Sequence, residues 1–118
     1  MTTSQLVVDI FNQLFGAHPD TQSLRQALQG YAGKETPRVQ LAILKLSQDD
    51  PAKLLEYIEA AKVDYRDVLA WAEYPEQFRT GATRFNTAPN EYEAMLERDR
   101  MQYEAWLIEH RHSDPPGN

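Results

Sequence analysis

Residues 36–62 read TPRVQLAILKLSQDDPAKLLEYIEAAK, and this stretch decides the fold. Thr36 followed by Pro37 places a capping hydroxyl ahead of a proline at the first helical position, where the missing N–H is no loss. Val39, Leu41, Ala42, Ile43, Leu44 and Leu46 come next. They leave almost no polar side, so the spacing predicts a central helix buried all round. Ser47 to Asp50 reads as a turn, and Asp50–Pro51 repeats the cap-plus-proline device. The helix after it is expected to turn Leu54, Leu55, Ile58, Ala61 and Tyr65 inward, with Lys53, Glu56, Glu59 and Lys62 outward.

Toward the N-terminus, Leu6, Val7, Ile10, Phe11, Leu14 and Phe15 share one helical face. Thr3 or Ser4 is its expected cap. Gly16, in the left-handed conformation, and the His18–Pro19 step end it. A second helix, over about 21–31, has Leu24, Ala27, Leu28 and Tyr31 as its apolar face. Toward the C-terminus, Asp64 caps a short apolar helix that runs through Val68, Leu69, Ala70, Trp71 and Ala72 and stops at Tyr74–Pro75. It is a loose copy of the helix before it, but one such pair is too few for a solenoid.

Residues 76–90, with Gly81, Pro89, three Thr and two Asn, read as a long loop. Asn90 then caps the longest helix, about 91–110, in which Tyr92-Glu93-Ala94-Met95-Leu96 returns eleven residues on as Tyr103-Glu104-Ala105-Trp106-Leu107. Eleven residues are three turns, so the two sets lie on one face. No segment alternates like a strand. The fold expected is all-α: an irregular bundle of about six helices, the last one longest and preceded by a long loop. Residues 1–112 form a single domain in this reading, and 113–118 a disordered tail.

A chain of 118 residues is enough for one core without disulfide or metal support. The absence of cysteine removes disulfides, thiolate metal sites and cysteine nucleophiles together. The formal charge of −6 disfavours nucleic acid and anionic lipid as partners. No apolar run approaches the roughly 20 residues that span a bilayer, and no Lys or Arg precedes Arg25 as a signal or transit peptide would require. These features point to a cytoplasmic protein.

Residues 37–62 have the dimensions of a helix-turn-helix, yet the second helix presents Glu56 and Glu59 and starts beside Asp49 and Asp50, the wrong charge for a major groove. Glu109 and His112 have metal-ligand spacing on a helix, but the motif occurs once and lacks companion acids. No nucleophile elbow or glycine-rich phosphate loop is present, so no catalytic residue, metal or cofactor is assigned and a non-enzyme is favoured.

Three features stand out. Asp99 shares the stripe of Tyr92, Leu96, Tyr103 and Leu107, so burial of that face takes a carboxylate with it, and Arg66, Arg79 or Arg84 is its expected partner. Between residues 77 and 90, Arg79 and Arg84 form a +2 island without an acid, a candidate anion site. Residues 64–75 concentrate Trp71 and Tyr74 with Arg66, the composition of interface hot spots.

The functional expectation is a protein-interaction or regulatory module, its partner another protein or a second copy. The interface candidates are Trp71, Tyr74, Tyr92, Met95, Tyr103 and Trp106. The alternative is a small-molecule or anion-binding domain, enzymes included, with a site between the helical body, the 77–90 loop and the last helix.

Overall fold

A computed structural model describes residues 2–111 as seven helices: α1 (Thr3–Phe15), α2 (Thr21–Gln29), α3 (Thr36–Ser47), α4 (Pro51–Val63), α5 (Tyr65–Glu73), α6 (Pro75–Thr80) and α7 (Pro89–Arg111). The described residues contain no strand. His112 and the 113–118 segment lie outside them. No helix among the described residues is long and apolar enough to cross a membrane.

The apolar run of α3 puts it at the centre, packed on α1, α4 and α5. Val39, Ala42, Ile43 and Leu44 are fully buried, and α1 covers them with Ile10, Phe11 and Phe15. From α4 come Leu54 and Ile58, from α5 Val68 and Ala72. Leu55 departs from expectation at 47% exposure, because α4 buries a narrow stripe spaced Leu54, Ile58, Ala61, and Leu55 falls beside it.

The caps divide in the same way. Asp50 accepts the Ala52 and Lys53 backbone N–H groups at 2.9 and 3.4 Å, and Asp64 accepts that of Arg66 at 3.0 Å, as the sequence predicts. Thr2 caps α1, rather than Thr3 or Ser4. Thr36 lies inside α3, and its hydroxyl donates back to the Gly33 carbonyl at 2.5 Å, while Glu35 takes the cap position in left-handed geometry. Gly16 is right-handed, and what it provides is room: a Cβ there would run into the Asn12 carbonyl.

The largest correction concerns residues 76–90. Pro75 ends α5 and also opens α6, so the long loop shrinks to the residues between Thr80 and Pro89. Pro89, not Asn90, begins α7. Gly81 closes α6 with φ +70°. A Cβ at Gly81 meets nothing within 4 Å, so the strain of a substitution there is purely conformational. Gly81→Ala is expected to lower the unfolding free energy by about 1 kcal/mol in a denaturant titration, and Gly81→Asn by less, because Asn tolerates the left-handed region.

Candidate functional site

The shortest helix depends on the longest. No side chain of its own segment caps α6, whose first turn exposes free N–H groups. Asp99 of α7, 2% exposed, supplies the cap: its Oδ1 accepts the Glu76 N–H at 3.0 Å and its Oδ2 the Gln77 N–H at 3.1 Å. The buried carboxylate therefore has its partners in backbone dipoles. It forms no ion pair with Arg66, which is bonded to Asp64, or with Arg79 or Arg84. The nearby Lys45 ammonium is pushed down by burial, with Asp99 opposing that shift.

Further polar ties fix the α6–α7 contact. Gln77 donates to the Tyr92 hydroxyl at 3.2 Å, and Gln102 donates to the Ala72 carbonyl at the end of α5 at 3.1 Å. Arg98 forks onto Glu76, with its shortest contact 2.6 Å, and this hydrogen bonding holds the Glu76 carboxyl below its usual range. At the other end of α7, Gln13 of α1 donates to the His110 carbonyl at 2.6 Å. Arg38 of α3 forks onto the buried Glu73 at 2.9 and 2.6 Å, anchoring the end of α5. Tyr103 lies close to that pair. Burial pushes its phenol up, and the negative charge of Glu73 adds to the shift.

This scaffold holds an aromatic row at the surface. Trp71 is half-buried against the core. Tyr57 of α4 meets it edge-on at 6.1 Å, and Phe78 of α6 does so at 6.0 Å. Phe78 remains 52% exposed and Tyr74, at the α5–α6 junction, 39% exposed. Two open grooves adjoin at Tyr74. One, of about 430 Å³, runs past Ala70, Gln77, Phe78, Gly81, Ala82 and Thr83. The other, of about 500 Å³, has Leu96, Tyr103 and Leu107 in its lining and Glu73, Glu93, Glu97, Arg100 and Glu104 along it.

The loop beyond α6 is knitted to itself. Asn86 accepts the Thr83 N–H at 2.7 Å and donates to the Gly81 carbonyl at 3.2 Å, while the Thr83 hydroxyl accepts the Phe85 and Asn86 N–H groups, each at 3.2 Å. These bonds hold Phe85 at 93% exposure next to Arg84.

Of the six interface candidates, only Tyr74 is exposed; Trp71, Tyr92, Met95, Tyr103 and Trp106 are half-buried. The Tyr92 hydroxyl is spent on Gln77, the Met95 sulfur lies 3.6 Å from the Thr80 hydroxyl, and Trp106 packs on the core and stacks with Tyr103 at 6.0 Å. The outward apolar residues of α7 are Met101 and Ile108, 57% and 51% exposed. Sequence reasoning missed Phe78, Phe85 and Tyr57. A signal existed for Phe78: Trp71, Tyr74 and Phe78 keep 3–4 spacing across Pro75, visible once that proline is taken as a helix start.

No family model, curated protein or solved structure matches this chain. Arg79 and Arg84 carry a distinction of their own. Arg38, Arg66, Arg98 and Arg100 bind carboxylates, and Arg25 binds Gln22 and Asn12. Among the arginines with described side chains, Arg79 and Arg84 donate no hydrogen bond and form no ion pair. They directly follow Phe78 and Thr83, two residues that line the first groove. The candidate site is thus an aromatic surface at the α5–α6 junction, where two grooves meet at Tyr74 and one of them is rich in carboxylates.

Proposed function

We propose that this chain is a protein-interaction module that receives a polypeptide partner on the α5–α6 aromatic face. One observation supports the reading above the others: the row Tyr57–Trp71–Phe78 ends in solvent beside the exposed Tyr74, with a groove open at both residues. Large aromatics that are rigidly held yet solvent-facing are the usual anchors of interfaces, since they bring apolar area at small entropic cost. Three consecutive helices, α4, α5 and α6, supply the row, so its shape depends on how they pack.

Photo-crosslinking tests the reading without a partner known in advance. Benzoylphenylalanine in place of Phe78, in the full chain within its own cells, is expected to give one dominant covalent adduct. The adduct should fall at least severalfold when Tyr74 is also replaced by Ser. The same photoreactive group at Val63, 88% exposed and on a different part of the surface, serves as the control. Equal, unspecific labelling from positions 63 and 78 overturns the proposal.

A further inference from the structure

We infer a second site, separate from the aromatic face: the cleft between α1 and α2 binds a small carboxylic acid with an apolar body, and Arg25 receives its carboxylate. The cleft has a volume of about 360 Å³, within the range of small-molecule sites. Helix α1 lines it with Val7, Val8 and Phe11, and α2 with Leu28. Val7, Phe11 and Leu28 are core residues that present only their edges, whereas Val8 is 49% exposed, an aliphatic side chain the fold leaves uncovered. From Ser4 to Phe11 the cleft follows α1 for about 10 Å. That length and lining suit an unbranched hydrocarbon chain, which takes Val8 out of water.

The polar part of the lining selects the other end of the ligand. Ser4, Gln29 and Gln40 are neutral, no acid lines the cleft, and Arg25 is its single charge. The Arg25 guanidinium lies over the Phe11 ring, 5.3 Å from the centroid, and donates to the side-chain oxygens of Asn12 and Gln22 at 3.2 and 3.1 Å. Both acceptors are neutral amides, so they orient the cation without neutralising it. No carboxylate among the described residues lies within ion-pair distance of it, although Arg38, Arg66, Arg98 and Arg100 each have one. Asp9, next to Val8, is outside the lining and accepts from Gln5 at 3.1 Å. A guanidinium has five N–H groups, so those not given to Asn12 and Gln22 remain for a ligand. One guanidinium matches one carboxylate in charge and in its forked geometry. A dianion such as a phosphomonoester would leave a charge unmatched, since no lysine or second arginine lines the cleft.

Titration of the isotopically labelled full chain with octanoate, followed by NMR, tests the inference. Saturable shifts are expected in the amides of residues 4–11 and 25–29 and in the Arg25 Nε–H signal. Octanol and octylammonium keep the body and lack the anion, and acetate keeps the anion and lacks the body. Each is expected to bind at least roughly tenfold more weakly than octanoate. Arg25→Gln removes the cation, and Val8→Asp puts a like charge in the cleft at an exposed position. Both are expected to weaken octanoate at least roughly tenfold.

Octanol binding as tightly as octanoate overturns the role of Arg25, and acetate doing so overturns the apolar body. Shifts centred away from α1 and α2, or folded variants that bind octanoate like the wild type, overturn the site itself. If neither variant folds, the comparison of octanoate with octanol and acetate on the wild type decides alone. The cleft shares no residue with the grooves at Tyr74, so these outcomes leave the interaction-module reading to its own crosslinking test.

Discussion

Asp99→Ala is expected to lower the unfolding free energy by about 2 kcal/mol, a large effect for one carboxylate that meets no cation within ion-pair distance. Asp99 is 2% exposed and accepts two backbone N–H groups from the first turn of α6. Truncation leaves both donors without their acceptor in a site water does not reach unless α6 frays. Fraying limits the loss, since a six-residue helix can give up its first turn more cheaply than it can keep two N–H groups dry. Asp99→Asn keeps one carbonyl oxygen and is expected to cost about half as much.

Urea titration followed by Trp fluorescence measures this directly, because Phe78 of α6 leans edge-on against Trp71. A midpoint for Asp99→Ala equal to wild type would show that the cap contributes nothing. The same substitution links stability to the proposed function. Phe78, Arg79 and the start of the Gly81 turn are carried by α6 and its end, so a frayed α6 disperses one half of the docking face. Asp99 would then act on binding without touching the partner.

How far the fold could be read from the chain differs from one element to the next, for physical reasons. Helices α1 to α5 were legible because each joins an apolar period to a local stop or start: Asp50–Pro51 and Asp64 are caps whose acceptors lie two or three residues from their donors. Helix α6 was not. At six residues it is too short to show a period, and its cap comes from Asp99, 22 and 23 positions further on. A proline after Tyr74 signals the end of one helix and the beginning of another equally well, and only tertiary packing separates the two.

The site was legible to about the same depth. The concentration of Trp71 and Tyr74 points to a surface where the structure leaves Tyr74 exposed and Trp71 half-buried. The sequence of α7 predicts that Tyr92, Met95 and Trp106 are displayed, yet its eleven-residue repeat specifies which residues share a face and not whether that face turns toward the body or away from it. In the structure Gln77, Thr80 and the core meet those side chains, and the fork of Arg38 on Glu73 joins positions 35 apart that no local pattern connects. The bare arginines Arg79 and Arg84 were visible as an island of charge. That they form no ion pair, when the other arginines with described side chains find partners, is a property of the folded surface alone.

Leu44→Ala carries the other large expectation, a loss of about 3–4 kcal/mol, against less than about 1 kcal/mol for Leu55→Ala. Both residues are leucines in helices, eleven positions apart, and composition treats them alike. Leu44 is fully buried on α3, where α1, α4 and α5 all close on that helix, so truncation opens a void that three neighbours would have to shift to fill. Leu55 already has 47% of its surface in water, and its removal opens no enclosed void. Urea midpoints at unchanged slope read the difference. Equal losses would mean that α3 is no more enclosed than the outer face of α4, and the central position assigned to residues 36–47 would fail with it. A large loss at Leu44 alone, with folding still cooperative, fixes the frame that holds α5 against α3, and through Glu73 and Arg38 it fixes the place where Tyr74 meets solvent.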